Sequence, residues 1–245
     1  EGFLVSIGPI YAMNWREKIL LPMNKFIIIL IAVFAVACNT DKQQSEVEGA
    51  LGMELPYYEE STFTPRWFAN KEEVPESFHK IPEFQVYNQL GDTVTADVFD
   101  DKITIVNFFF TTCPGICPKM MANMDLVQKE LSEDKGLQLL SYSVTPDMDG
   151  VPELNAYAEK NGISSENWYL LTGERQVIYE LGRNQFFVEE DMGLQKSPDD
   201  FLHTENILLI DNERHIRGIY NGLNKTAIKQ LLADAKLLRD NLILL

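Results

Sequence analysis

Two cysteines, at positions 113 and 117, are the residues whose type and spacing are best suited to chemistry. Cys113 and Cys117 lie in the run TTCPGICP, and a proline follows each of them. Residues four apart lie on the same face of a helix, so the two sulfur atoms can converge on a single ion. Thiolates are soft ligands that favour Cu(I) or Zn. The same pair could instead form a disulfide, if the turn brings the two Cα atoms within about 7 Å.

The elements predicted around the two cysteines explain why their thiols should be reactive. β-Branched and aromatic residues fill almost every position at 103–110, which predicts a strand buried on both faces. Good helix formers follow at 119–131, so the cysteines lie where a strand ends and a helix begins. A helix N-terminus stabilises thiolates, and we expect both thiols to have a pKa below its ordinary value. A pair of inert core cysteines is the alternative, which the two prolines disfavour.

Strands and helices alternate along the chain until a final hairpin and helix. This order predicts an α/β fold: a thioredoxin-like three-layer sandwich with a mixed central sheet and an N-terminal β-hairpin. In an open α/β sheet, sites form beyond the carboxyl ends of the strands, which is where the cysteines are expected. The other strands are predicted at 84–87, 93–98, 137–144, 168–171, 207–210 and 215–220, an extended segment at 186–189, and the other helices at 151–161, 175–181 and 226–245.

Three histidines could complete a copper site that two sulfur atoms would leave under-coordinated. His203 lies in a loop just before the predicted strand 207–210, and in a thioredoxin-like fold that loop faces the cysteine turn. Imidazole suits copper, so we take His203 as the candidate third ligand. His79 lies in a predicted linker and His215 follows a charged turn, and we expect both to be exposed.

Composition and charge narrow the classes of function. The chain has 245 residues, 45% of them hydrophobic and 11% aromatic, which is enough apolar material for one good core. It has 21 basic and 37 acidic residues, a net charge of −16, so nucleic acid is a poor candidate partner. Three cysteines cannot form the framework of a disulfide-stapled protein.

The N-terminal part of the sequence is typical of a membrane anchor. Residues 1–22 form an uncertain leader extension. An all-apolar run at 26–37 precedes Cys38, and the four residues ending at Cys38 resemble a bacterial lipobox. We therefore predict a signal or lipoprotein-type membrane anchor at 23–38, with lipidation of Cys38. An uncleaved anchor is the alternative.

Both kinds of anchor place the rest of the chain outside the cytoplasm, membrane-anchored and facing the periplasm. No helical or alternating period runs through residues 39–80, which predicts an extended linker. Its aromatic residues argue against a free tether, and we expect them to pack on the main domain. The thioredoxin-like domain is predicted at 81–245.

Several motifs, taken in order, resemble the Sco/SenC family of copper-binding, thioredoxin-like proteins. The resemblance extends from about residue 81 to the final helix, and it rests on Cys113–Pro118, Ser143–Asp149, Leu171–Gly173 and His203 before Ile207–Asp211. The family is membrane-anchored and helps to assemble the dinuclear copper site of cytochrome c oxidase. The resemblance implies that Cys113 and Cys117 are thiolate ligands of copper, as Cu(I) or Cu(II), and that His203 is its imidazole ligand.

This sequence departs from the family's usual pattern at three positions near the predicted site. The family usually has Asp where Gly115 stands, an acidic residue where Thr145 stands, and Asp where Leu202 stands. Missing carboxylates would change the pKa of the thiols and the docking of a partner. The three implied ligands are all present.

The resemblance implies a copper chaperone that delivers its metal to the copper-site subunit of cytochrome c oxidase or to another copper client. The alternative is a thiol–disulfide oxidoreductase, in which Cys113 and Cys117 form a redox pair that reduces the client's cysteines before metallation. Three residues rather than two separate the cysteines, and the nearest proline, Pro198, lies well before strand 207–210. Both features favour metal binding. A peroxiredoxin-like peroxidase is disfavoured, because Phe110 stands where its threonine would be.

Overall fold

The computed structural model describes residues 55–188 and 204–243, which contain a seven-stranded mixed sheet and four α-helices. The strands are β1 (Gln85–Asn88), β2 (Thr93–Thr95), β3 (Ile103–Phe109), β4 (Leu137–Ser143), β5 (Trp168–Thr172), β6 (Asn206–Ile210) and β7 (Ile216–Asn221). The helices are α1 (Cys117–Glu130), α2 (Val151–Asn161), α3 (Arg175–Glu180) and α4 (Lys225–Ile243). The strand order is β2-β1-β5-β4-β3-β6-β7.

The direction of the strands confirms the predicted mixed sheet. Strands β3, β4 and β5 are parallel neighbours at the centre. The hairpin β1–β2 joins the sheet antiparallel to β5, and the hairpin β6–β7 joins it antiparallel to β3. The predicted N-terminal β-hairpin is therefore an edge of the main sheet.

Strand β3 lies between two apolar cores, and all seven of its residues are buried. Ile105 and Phe109 face one core, whereas Val106 and Phe108 face the other. Because helices or loops cover both faces, the strand has no solvent-exposed face, and its two polar residues, Thr104 and Asn107, are buried as well.

The sheet is the middle one of three layers, and one of the two cores lies on each of its faces. One face of the sheet packs against α1, α2 and α4 through buried residues such as Met124, Leu154 and Leu231. The other face packs against α3, Phe84 and a short 3-10 turn at Ala96–Phe99. The predicted thioredoxin-like three-layer sandwich is confirmed. No helix in residues 55–188 and 204–243 is long and apolar enough to cross a membrane.

The segment before β1 packs along β7. The backbone N–H of Tyr58 donates to the carbonyl of Ile216 at 3.0 Å, and Tyr57 is buried. The guanidinium of Arg217 lies 3.6 Å from the centroid of the Tyr57 ring. Aromatic side chains of this segment therefore pack on the sheet, as the composition of the predicted linker suggests. The bounds of that linker stay a prediction.

His215 is buried, and its predicted exposure is wrong. The side chain packs edge-on against Tyr57 and Phe78, with ring centroids 5.5 Å and 6.0 Å away. A charged turn precedes it, but residues that are far away in the sequence cover it. His79 is half-buried rather than fully solvated: its Nε2 lies 2.8 Å from the carbonyl oxygen of Gln185, and burial lowers its pKa.

Candidate metal and thiol site

The predicted cysteine pair lies in the loop that joins β3 to α1. Cys117 is the first residue of α1, and Pro118 follows it in the first turn, where its fixed φ suits a helix start. Cys113 lies in the loop, where its N–H donates to the carbonyl of Phe110 at 3.4 Å. The loop leaves the carboxyl end of the central strand, so the observed position matches the predicted one.

Both cysteines are free, and they differ in exposure. Cys113 is partly exposed and Cys117 is buried. A hydrogen bond joins the two side chains, and backbone N–H groups at Gly115 and Ile116 also point to the Cys113 sulfur. The pKa of each thiol responds to the other, so the two sulfur atoms lie near each other. The donor set therefore fits a metal such as Cu(I).

The two thiols have opposite pKa shifts. Burial by itself raises the pKa of Cys113, but the hydrogen bond from Cys117 and those from the backbone outweigh it and leave the pKa below its ordinary value. Burial, and then the hydrogen bond to Cys113, raise the pKa of Cys117 to about 12. The prediction of a low pKa is thus right for Cys113 and wrong for Cys117. The motif alone could not show that the second sulfur faces the core.

Two of the predicted site residues, His203 and Cys38, lie outside the described residues. Strands β3 and β6 are antiparallel, and Val106 pairs with Leu208. The start of β6 at Asn206 is therefore at the same edge of the sheet as the end of β3, where the cysteine loop begins. Within the described part of the chain, no group of three or more His, Cys, Asp or Glu residues is arranged to hold a metal.

Asp149 is a residue of this site that the sequence reasoning missed. It follows β4 and is buried, and its carboxyl group accepts hydrogen bonds from Thr111, Ser143 and Thr145. In the sequence, Asp149 stands out only as the last residue of the motif Ser143–Asp149. Its bond to Thr111 links positions 38 residues apart, so no local pattern could reveal it.

Apolar and aromatic side chains also lie on the elements at this edge of the sheet. Ile116 and Met148 are exposed large apolar residues on the two loops of this edge. Tyr157 is half-buried against Phe109, with ring centroids 5.6 Å apart. Burial, followed by the nearby Cys117, raises the pKa of Tyr157, so its hydroxyl lies within electrostatic reach of the thiols.

A sequence profile of the SCO1/SenC family matches residues 72–237, which is more than half of the chain. The chain belongs to the SCO1/SenC family. The resemblance stated from the motifs is therefore confirmed, and the fold is that of the Sco proteins.

Solved Sco structures agree with this membership. A SCO1/SenC family lipoprotein from Bacillus anthracis str. Ames is 29% identical, with a TM-score of 0.57 over 68% of this chain and 98% of that chain. BsSco is 28% identical, with a TM-score of 0.57 over 66% of this chain and 94% of that chain. ScoI from Bradyrhizobium japonicum, solved with copper bound, shares the fold at 23% identity, with a TM-score of 0.52 over 64% of this chain and 98% of that chain.

Two of the three positions at which this sequence departs from the family pattern, Gly115 and Thr145, lie in the described residues. A Cβ atom at Gly115 would lie 4.0 Å from the Cys113 sulfur, an ordinary contact, so packing does not require glycine there. The hydroxyl of Thr145 donates to Asp149 at 3.0 Å. A neutral side chain at 145 therefore supplies a donor to Asp149.

Proposed function

We propose that this protein is a copper chaperone that holds one copper, as Cu(I) or Cu(II), through Cys113, Cys117 and His203. The observation that carries the proposal is the pair of free, interacting thiols, one in the loop after β3 and one at the start of α1. Loss of the thiol protons leaves two soft sulfur ligands at one turn of the chain. Membership of the family, one member of which has been solved with copper bound, supports copper as the metal.

The register of β6 supports His203 as the third ligand. In the sequence His203 comes three residues before Asn206, and Asn206 begins β6 at the sheet edge where β3 ends and the cysteine loop begins. A neutral imidazole is a common copper ligand and adds no charge to the site. Copper held by three ligands leaves room for an incoming thiolate, so the metal can pass to a cysteine-containing client by ligand exchange.

The proposed client is the copper-site subunit of cytochrome c oxidase or another copper protein. BsSco, at 28% identity, is described as a member of a family of cytochrome c oxidase assembly proteins. The proposed location is the outer face of a membrane, with a lipid on Cys38 as the anchor. The lipoprotein from Bacillus anthracis supports membrane anchoring.

A Cu(I) titration tests the ligand assignment. We expect the reduced full chain, purified in detergent without oxygen, to bind one copper, and His203→Ala to bind it at least about 10-fold more weakly, because the imidazole is lost. His79→Ala is the matched control, since it removes a half-buried imidazole that contacts the Gln185 carbonyl. Equal copper affinity in wild type and His203→Ala would remove His203 from the site.

A second candidate function is the reduction of the client's cysteines. It is favoured by the low pKa of the partly exposed Cys113, beside which Cys117 can act as the resolving thiol. The Cys113 thiolate would attack a client disulfide, and the Cys117 sulfur would then attack the mixed disulfide. The pair would be oxidised to a disulfide, and the client would receive two electrons and two protons.

Disulfide reduction by copper-free protein, compared with copper binding, distinguishes the two functions. Rapid, stoichiometric reduction of a client disulfide by copper-free reduced protein, together with weak copper binding, would favour the oxidoreductase. One tightly bound copper and slow disulfide exchange would favour the chaperone. Cys113→Ser should abolish both activities, because both need the same sulfur.

A further inference from the structure

A buried carboxyl group holds one end of the loop that carries Cys113. Asp149 is only 1% exposed, and it lies just beyond β4. Its Oδ2 accepts hydrogen bonds from the backbone N–H of Thr111 at 3.1 Å, the Ser143 hydroxyl at 2.6 Å and the Thr145 hydroxyl at 3.0 Å. Its Oδ1 accepts a hydrogen bond from the Thr111 hydroxyl at 2.5 Å.

These bonds continue the connection between β3 and β4 past the end of the strand ladder, where Phe109 pairs with Ser143 and its carbonyl accepts from the Val144 N–H. Thr111 lies two residues before Cys113, between the end of β3 and the start of α1. The other end of the cysteine loop is fixed by α1, where the N–H groups of Lys119 and Met120 donate to the Ile116 carbonyl. Cys113 therefore lies between two anchored ends, and Asp149 provides one of them.

Of the hydrogen bonds that Asp149 accepts, only those from Thr111 reach the cysteine loop. Ser143 and Thr145 lie at the end of β4 and in the loop that follows, the same part of the chain as Asp149 itself. A carboxyl group bound only to those two residues would be satisfied without touching the cysteine loop. The two bonds from Thr111 transmit the position of Asp149 to the backbone that carries Cys113.

We propose that Asp149 is a positioning residue, which acts through Thr111 to set the distance and direction of the Cys113 sulfur relative to the Cys117 sulfur. This inference rests on the proposed function in that it assumes the two sulfurs act together. Outer partners that orient a metal ligand typically contribute about 10- to 100-fold to metal affinity. The same geometry governs how readily the two sulfurs form a disulfide, because disulfide bonds tolerate only a narrow range of Cα separations and dihedral angles.

Two matched valine variants of the full chain test this role. Thr111→Val and Thr145→Val each remove one hydroxyl donor to the same carboxyl group at nearly constant volume, but only Thr111 lies in the cysteine loop. We expect Thr111→Val to weaken Cu(I) binding by about 10-fold in competition with a Cu(I) chelator, and Thr145→Val to bind as wild type does. The reduction potential of the Cys113–Cys117 disulfide should shift in Thr111→Val alone.

Two further variants separate positioning from stability. Thr111→Ser keeps the hydroxyl and should restore both the copper affinity and the potential of wild type. Asp211→Asn changes another buried carboxyl group, at the opposite edge of the sheet. It should lower the midpoint of urea unfolding while leaving the potential of the disulfide unchanged.

The outcomes distinguish this inference from the proposed function. If wild type binds no copper but the disulfide potential shifts in Thr111→Val alone, the copper function fails and the positioning role stands. If wild type binds copper, and Thr111→Val and Thr145→Val have equal affinity and potential, the positioning role is overturned and the copper function stands. A chain that neither binds copper nor forms the disulfide would overturn both.

Discussion

At the residue scale, the groups nearest Cys113 decide how readily its thiol loses a proton. Gly115 has room for a side chain, since its Cβ would lie 4.0 Å from the Cys113 sulfur. We predict that Gly115→Asp raises the pKa of Cys113, because a second negative charge nearby disfavours the thiolate. The rate of alkylation by iodoacetamide at pH 7, measured on the reduced protein, should fall by up to about 10-fold for each unit by which the pKa rises.

An uncharged variant isolates the charge in this prediction. Gly115→Asn adds a side chain of the same shape and should leave the alkylation rate close to that of wild type. If Gly115→Asp and Gly115→Asn slow alkylation equally, the effect comes from steric shielding and the electrostatic argument fails. If neither variant slows it, position 115 has no influence on the thiol.

At the scale of elements, α1 carries Cys117, and a buried side chain ties this helix to the sheet. The Asn123 amide donates to the Gly222 carbonyl just beyond β7 at 2.7 Å. We predict that Asn123→Ala lowers the free energy of unfolding by about 1–3 kcal/mol, because it leaves a buried carbonyl without its donor. Urea unfolding followed by circular dichroism measures this loss.

The same helix offers an exposed polar pair for comparison. Asp125 and Lys129 form an ion pair at 2.6 Å on its solvent side. Asp125→Ala should cost no more than about 0.5 kcal/mol, since exposed ion pairs at this spacing contribute little. A loss as large as that of Asn123→Ala would mean that burial does not explain the difference between the two sites.

The order and type of most elements could be predicted, because apolar periodicity reports local burial directly. The helix predicted at 151–161 is α2, and the strand predicted at 103–110 is β3 with one residue fewer. Two local predictions are wrong. The strand predicted at 93–98 ends at Thr95, and the chain continues as a 3-10 turn. The extended segment predicted at 186–189 is wrong at its start, because Phe186 caps a π-helical turn that prolongs α3.

The site could be predicted only as far as local sequence determines it. The spacing of Cys113 and Cys117 and their place before a helix are local, and they were predicted. Three features depend on contacts between distant segments: the raised pKa of Cys117, the burial of His215 and the bond from Thr111 to Asp149. Periodicity in one segment carries no information about which other segment covers it.

At the scale of the whole molecule, a buried ion pair joins the N-terminal segment to the far edge of the sheet. Asp211 and Arg217 lie 3.0 Å apart, and both are more than nine-tenths buried. Arg217 also donates to the carbonyls of Leu55 and Pro56. The ion pair therefore holds both the turn between β6 and β7 and the segment that precedes β1.

This ion pair predicts a loss of stability in acid. Burial by itself raises the pKa of Asp211, but the neighbouring His215 and Arg217 outweigh it and leave the pKa below its ordinary value. A carboxyl whose pKa is lower in the folded state stabilises the fold above its unfolded pKa of about 3.9. That contribution is lost as the pH falls from there toward the folded-state pKa. Asp211→Asn leaves Arg217 buried without its partner and should cost about 3–5 kcal/mol at pH 7.

Urea unfolding at pH 7, 5 and 3 measures this contribution. The gap in unfolding free energy between wild type and Asp211→Asn should be largest at pH 7 and 5 and should narrow at pH 3, because protonation of Asp211 removes the same charge as the substitution. Glu59→Gln is the control, since its partner Arg66 is exposed and the pair should contribute less than about 1 kcal/mol. A gap that stays constant from pH 7 to pH 3 would mean that Asp211 stabilises the fold through its shape and hydrogen bonds rather than through its charge.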